Sequence, residues 1–193
     1  MKTKKFTTSQ LTILGLMAGI LFLMAYTPLG YLNIGPLAVT FNVIPVAVCA
    51  IVLGPTGGAI AGAVFGLTSF MQAIGIGGVS ALGSALFQIN PFMTAVQCFG
   101  PRILDGICIG FIYRAVHKKA NTYVSCAVTG FFSAFLNTLF FMTALIVMFG
   151  NTELIRNLMG GHNIIVGCCL MVGVNAISEM VSSTIITAAV GTA

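Results

Sequence analysis

The chain has 193 residues, of which 58% are hydrophobic and only 6% are charged, and its mean hydropathy is +1.08. Soluble domains carry about a quarter charged residues, so this composition excludes a soluble globular domain. It indicates a membrane protein made almost entirely of transmembrane helices. Because each helix needs about 20 residues to cross a hydrocarbon core of roughly 30 Å, we expect one domain over residues 1–193, an all-α bundle of about six transmembrane helices.

The first half of the chain divides into three predicted spans. Span one covers residues 8–26 and ends at a Thr-Pro-Leu-Gly sequence, which favours a turn. Its basic, then apolar, start could also be a secretory signal, but the sequence downstream is equally apolar. Span two, residues 40–53, is short and ends at a turn sequence rich in glycine and proline, residues 54–58. Span three follows to about Gln72.

The second half contains three more predicted spans. The stretch 75–91 is rich in Gly, Ser, Gln and Asn, which predicts a loop or short helix that forms a lid or a re-entrant piece. Span four covers residues 92–116, span five 123–149 and span six 163–192, and the polar segment 150–162 separates the last two. No internal repeat is evident, so the sequence gives no sign of the inverted-repeat architecture of many transporters.

The placement of basic residues predicts the orientation of the bundle, because lysine and arginine in short loops stay on the cytoplasmic side. Six of the eight basic residues form two groups, one at the start and one after span four; they are Lys2, Lys4, Lys5, Arg114, Lys118 and Lys119. With six spans both groups share one side, which predicts cytoplasmic N- and C-termini. Loops 27–39, 73–91 and 150–162 then face outside. The net charge of +5 needs no nucleic-acid partner.

Ionisable side chains inside a membrane cost several kcal/mol unless they pair or face a cavity, so each is a candidate for function. Arg102 and Asp105 fall in span four and Glu179 in span six. Arg102 and Asp105 are three residues apart and share a helix face, and Asn137 and Asn175 lie at comparable depth. We predict that these residues converge on one interior site, in which Arg102 is the buried cation.

Two interpretations of Arg102 remain open. An ion pair with Asp105 or Glu179 would only tie helices together. Alternatively, Arg102 receives the carboxylate of a ligand, because its fork of donors matches a carboxylate.

Further candidate substrate-binding residues are polar side chains at the predicted outer ends of spans two to four. They are Asn42, Gln72, Gln88, Asn90 and Gln97. Each could equally be a helix cap or a loop hydrogen bond, but gathered at one mouth with Tyr31, Asn33 and Thr40 they suit a small polar solute.

Span one carries a small-xxx-small pattern formed by Gly15, Ala18 and Gly19, which lets another helix approach closely. Packing within this bundle and docking to a partner subunit are both open.

The six cysteines lie in apolar stretches without CxxC spacing, so neither a disulfide framework nor a metal site is expected. No Walker, HExxH or GxSG motif occurs, so we expect neither an enzyme nor a cofactor.

Several short motifs occur in a characteristic order along the chain. They are the sequence TPLGYLNIGP at 27–36, IPV at 44–46, LGPTGGA at 53–59, FGLTSF at 65–70, NP at 90–91 and PRILDG at 101–106. In this order they resemble the S components, the substrate-binding subunits of energy-coupling factor (ECF) vitamin transporters. The resemblance covers most of the chain and is greatest to the pantothenate-type branch.

The resemblance implies a six-helix protein of the bacterial cell membrane that binds one water-soluble vitamin near its outer face. It further implies partners, namely a transmembrane coupling subunit and two ATPase subunits. Family members dock through small residues of the first helix, which here correspond to Gly15, Ala18 and Gly19. The loops between spans one and two and between spans three and four would gate the site.

Pantothenate is the leading candidate ligand, because an anionic ligand gives the buried Arg102 a partner; folate, riboflavin, another vitamin or a precursor remain open. A second hypothesis is a self-sufficient, proton-coupled secondary transporter that uses Asp105 and Glu179 as titrating groups. A third is a structural membrane protein whose buried charges only tie helices together.

Overall fold

The computed structural model describes residues 6–27, 31–33, 38–77, 80–158 and 164–191. This part of the chain is nearly all helical, with one antiparallel pair of three-residue strands. In chain order the elements are α1 (Thr8–Tyr26), β1 (Tyr31–Asn33), β2 (Ala38–Thr40), α2 (Val43–Ala73), α3 (Ala81–Ile89), α4 (Pro91–Val116), α5 (Thr122–Phe149), α6 (Glu153–Leu158) and α7 (Ile164–Gly191).

Four helices in the described part of the chain are long and apolar enough to cross a membrane, namely α1, α2, α4 and α5. α7 has 28 residues, or about 42 Å of helix. The prediction of a helical, multi-pass membrane protein is therefore confirmed. The predicted ends of spans one, four, five and six lie within one residue of the ends of α1, α4, α5 and α7, and α3 is the short helix predicted within 75–91.

α2 reverses direction at Gly54, whose backbone leaves the helical region with φ 73° and ψ −166°. A Cβ atom added at Gly58 would lie 2.9 Å from the Cβ of Ala50. These residues are eight positions apart, which is about 12 Å along a continuous helix, so the chain folds back on itself. Pro55 is the first residue of the returning helix. At this position an N–H would have no partner within the helix, so the proline costs no hydrogen bond. The turn predicted at 54–58 is confirmed.

The two arms of α2 differ in length and in burial. The first arm, residues 43–53, measures about 16 Å, roughly half the thickness of the hydrocarbon core. All of its residues from 43 to 50 are buried, and they form the centre of the apolar core together with Leu21, Phe65, Ile109 and Ala134. Since this arm is too short to cross a bilayer alone, the count of six spans stays a prediction.

The orientation of the bundle also stays a prediction. Lys2, Lys4 and Lys5, on which the cytoplasmic placement of the N-terminus depends, lie outside the described residues.

The second arm of α2, residues 55–73, packs directly on α4 through a ladder of glycines. A Cβ atom added at Gly58 would overlap the carbonyl of Gly106, and one added at Gly62 would overlap the carbonyl of Arg102. The same spacing of four residues continues to Gly66, which faces the Cys98 carbonyl. Small residues at this spacing allow helix backbones to approach closely in membranes. The ladder therefore fixes how α4 presents its side chains to the interior.

The sequence between spans one and two, predicted as a loop, contains the antiparallel pair of β1 and β2, in which Tyr31 pairs with Thr40 and Asn33 with Ala38. We call this pair the β-hairpin. It pairs backbone polar groups that would otherwise lack partners away from water.

The glycine ladder yields a stability prediction. We expect Gly58→Ala to lower the free energy of unfolding by about 1–3 kcal/mol, because the new methyl group meets backbone that cannot rotate away. The matched control is Gly100→Ala on α4, where an added Cβ has no neighbour within 4 Å. Thermal unfolding of the purified variants in detergent measures both. Equal behaviour of the two variants would contradict the proposed packing.

Candidate ligand-binding site

Arg102 is held in place by an irregularity of its own helix. Pro101 has no N–H, so the carbonyl of Gln97 loses its helical donor. The Arg102 Nη1 atom donates to this carbonyl at 3.4 Å and to the carbonyl of Cys98 at 3.0 Å. The side chain therefore turns back along α4 towards the end at which α3 meets α4, which we call the α3 end of the bundle.

Two aromatic rings from other helices flank the guanidinium group. Its central carbon lies 4.5 Å from the ring centroid of Phe65 on α2 and 5.6 Å from that of Phe141 on α5. Both distances are within the range of a cation–π interaction. Arg102 thus lies where α2, α4 and α5 meet, and its Nε atom is buried without a hydrogen-bond partner among the residues that the structure describes.

Arg102 makes no ion pair with any residue that the structure describes. Its hydrogen bonds go to main-chain carbonyls. Asp105 is 2% exposed, and its Oδ1 atom has no hydrogen-bond partner in the part of the chain that the structure describes. The ion pair that the sequence left open is therefore not formed among the described residues. A partly buried cation remains without an anionic partner there.

Glu179 instead binds the β-hairpin. Its Oε1 atom accepts the backbone N–H of Thr40, the last residue of β2, at 2.6 Å. Glu179 is 5% exposed and lies near the middle of α7, so the end of the hairpin reaches into the bundle. The Thr40 hydroxyl in turn accepts the N–H of Asn42 at 3.3 Å. These bonds fix the start of α2 at mid-depth in the bundle.

Asn42 stands at the N-cap of α2, but its side chain makes no capping hydrogen bond. It is fully buried, and neither of its amide atoms has a partner among the residues described. Gln97 is 1% exposed and donates its Nε2 to the Phe141 carbonyl at 2.9 Å, while its Oε1 atom has no partner within the described ranges. Each unsatisfied buried polar group costs about 1–3 kcal/mol. These two buried side chains therefore offer both donors and acceptors to a polar ligand.

Other predicted site residues have structural partners or lie elsewhere. Gln72 donates to the Ala25 carbonyl at 2.6 Å and so ties α2 to the end of α1. Asn90 caps α4 by accepting the N–H groups of Phe92 and Met93. Gln88 is exposed on α3. A ligand-binding role for these three residues stays a prediction, as it does for the buried Asn137 and Asn175, and the side chains of the predicted mouth residues Tyr31 and Asn33 lie outside the description.

The sequence interpretation named Asn137, Asn175 and Glu179, but it missed the two polar stripes to which they belong, which run along the facing sides of α5 and α7. Both have a spacing of four residues and all members are at most 7% exposed; they are Ser125, Thr129, Ser133 and Asn137 on α5, and Asn175, Glu179, Ser183 and Thr187 on α7. The regular spacing was a readable signal. By contrast, Phe141 lies in an apolar stretch of sequence, and no local pattern marks it as a site residue before the fold is known.

The predicted docking residues lie on an open face of α1. Gly15 and Gly19 are exposed, and a Cβ atom added at either would have no neighbour within 4 Å. Ala18 is half-buried. Within the described residues, these two glycines are therefore not used for packing, unlike the glycine ladder of α2.

Comparison with known proteins identifies the family of the chain. A family model described as the substrate-specific component of ECF transporters matches residues 9–191, which is nearly the whole sequence.

Two relatives have been named for the compound they transport. The chain is 33% identical over 175 residues to the pantothenate transporter PanT of Leuconostoc mesenteroides, an alignment that covers 87% of this chain and 80% of that protein. It is 27% identical over 200 residues to the pantothenic acid transporter PanT of Lactococcus lactis, with 97% and 94% covered. The family and both names describe transport proteins rather than enzymes.

Proposed function

The chain belongs to the substrate-specific components of ECF transporters, and from this membership we propose that it binds pantothenate as the vitamin-binding subunit of an ATP-driven importer. The observation that carries the proposal is the partly buried guanidinium of Arg102, which has a buried, free Nε atom and no carboxylate partner among the described residues. Pantothenate carries one carboxylate, and a guanidinium group binds carboxylates with good geometry.

The start of α2 supports the same assignment. Its first arm begins at mid-depth in the bundle, where the Ser133 hydroxyl of α5 donates to the Val43 carbonyl at 3.3 Å. The N-terminus of a broken helix favours negative charge, and discontinuous helices bind anionic substrates in this way in other transporters. Val43 and Phe65, whose ring lies beneath the Arg102 guanidinium group, belong to one apolar cluster.

Uncharged polar side chains match the neutral part of the vitamin. Pantothenate has an amide and two hydroxyl groups besides its carboxylate. Asn42 and Gln97 offer unpartnered amide atoms, and we assign them to this polar segment, with Asn137 and Asn175 as further candidates. The apolar cluster around Phe65 forms the floor of the site. The relatives' names support a pantothenate-type ligand over folate or riboflavin.

Transport itself needs partners in this proposal. The protein lies in the bacterial cell membrane with cytoplasmic termini, binds the vitamin at the outer face, and delivers it inward with a transmembrane coupling subunit and two ATPases. The open glycine face of α1, formed by Gly15, Ala18 and Gly19, is the docking surface for the coupling subunit. Its lack of neighbours among the described residues supports this assignment.

The role of Arg102 can be tested by changing both the protein and the ligand. We expect Arg102→Ala to weaken pantothenate binding at least 100-fold and Arg102→Lys to weaken it less, because lysine keeps the charge but loses the fork. Pantothenol, in which an alcohol replaces the carboxylate, should bind the unchanged protein about 10- to 100-fold more weakly than pantothenate. Titration calorimetry measures the affinities, and thermal unfolding shows whether each variant is folded.

The decisive comparison is between the two ligands on the Ala variant. If Arg102 binds the carboxylate, a folded Arg102→Ala protein no longer distinguishes pantothenate from pantothenol. If this variant still prefers pantothenate as strongly as the unchanged protein does, the proposed role of Arg102 is wrong.

The docking surface gives a separate prediction. Gly15→Leu should reduce pantothenate uptake at least tenfold in cells that contain the coupling subunit and ATPases, because the larger side chain keeps the partner helix away. Its affinity for pantothenate should not change. Gly100→Leu is the matched control, since it adds the same volume at another glycine without neighbours. Equal uptake by the two variants would remove α1 as the docking surface.

A further inference from the structure

The bond between Glu179 and Thr40 joins two parts of the chain that are 139 residues apart in sequence. On one side is a carboxylate in the middle of α7, and on the other is a backbone N–H at the end of the β-hairpin. Because the Thr40 N–H donates to a side chain of α7, this bond serves as a tether between the hairpin and α7.

The tether holds the segment where the hairpin turns into α2. Thr40 is 8% exposed and Asn42 is fully buried. The Thr40 hydroxyl accepts the Asn42 N–H, and Ser133 holds the Val43 carbonyl from α5. Glu179 therefore anchors a short stretch of backbone that also carries the unpartnered amide of Asn42. Movement of this stretch would move both the hairpin and the start of the first arm.

One observation argues against Glu179 as a direct ligand for pantothenate. One of its oxygens already accepts the backbone N–H of Thr40. A role through the backbone of the hairpin fits this bond.

We propose that Glu179 is a positioning residue, which fastens the end of the β-hairpin to α7 and thereby controls how fast the vitamin enters and leaves the site. This inference depends on the proposed function, because it concerns the site that Arg102 forms. Fastened, the hairpin retains the ligand; released, it lets the ligand exchange. A change at Glu179 should therefore alter the rates at which the vitamin binds and dissociates more than it alters the contacts made with the bound molecule.

A matched pair of variants separates the tether from the charge. Glu179→Gln keeps an oxygen that accepts the Thr40 N–H, whereas Glu179→Ala removes it. We expect Glu179→Ala to raise the rates of pantothenate association and dissociation about tenfold or more. Glu179→Gln should keep both rates within about threefold of those of the unchanged protein. Stopped-flow or surface-based binding with the full chain in nanodiscs measures these rates.

Thr40 provides the other half of the test. Thr40→Pro removes the N–H donor, and Thr40→Val keeps it while removing the hydroxyl. Thr40→Pro should accelerate exchange as Glu179→Ala does, and the double variant should show no further acceleration, because the two changes break the same bond. Additive effects of the two changes would overturn the proposal. So would an equal loss of affinity in Glu179→Gln and Glu179→Ala without faster association, since that result marks a direct ligand contact.

A measurement on the ligand-free protein tests the tether separately from vitamin binding. Hydrogen exchange of the backbone amides at 38–42 in the ligand-free protein should become faster in Glu179→Ala and stay unchanged in Glu179→Gln. That result supports the tether even if the protein fails to bind pantothenate. Unchanged exchange in Glu179→Ala would overturn the tether even if pantothenate binds well.

Discussion

Arg102 carries a positive charge into a bundle whose described interior offers it carbonyl oxygens and aromatic rings but no carboxylate within ion-pairing distance. Burying such a charge is costly, and the protein offsets only part of this cost. The carbonyl freed by Pro101 and the ring of Phe65 hold the guanidinium group in one orientation, while its Nε atom stays unpaired. In the function that we propose, the missing partner is an anion that comes from outside the chain.

Backbone constraints, rather than charges, determine how the helices around Arg102 pack. The reversal at Gly54 places a half-length helical arm in the centre of the core, and the glycine ladder brings the second arm of α2 onto the backbone of α4. Close backbone packing leaves little freedom for side chains at this contact. It therefore presents Arg102 and Phe65 to the same part of the interior.

Much of this arrangement could be predicted from the sequence. Long apolar stretches with clear turn residues located α1, α4, α5 and α7 within one residue, and the cost of buried charge singled out Arg102 and Glu179. Contacts between distant segments could not be predicted. Nothing local links Glu179 to Thr40, and small-xxx-small spacing occurs on both α1 and α2, although only the fold shows that the α2 glycines pack inward while Gly15 and Gly19 remain open.

Binding of the proposed ligand requires an anionic molecule to reach the partly buried guanidinium group of Arg102. The most direct test is to purify the protein from cells grown in rich medium and to identify any small molecule that stays bound, by mass spectrometry. We expect one carboxylate-bearing vitamin per chain, and specifically pantothenate. A bound solute without an anionic group, or a folded protein that retains no molecule and binds no added pantothenate, would contradict it.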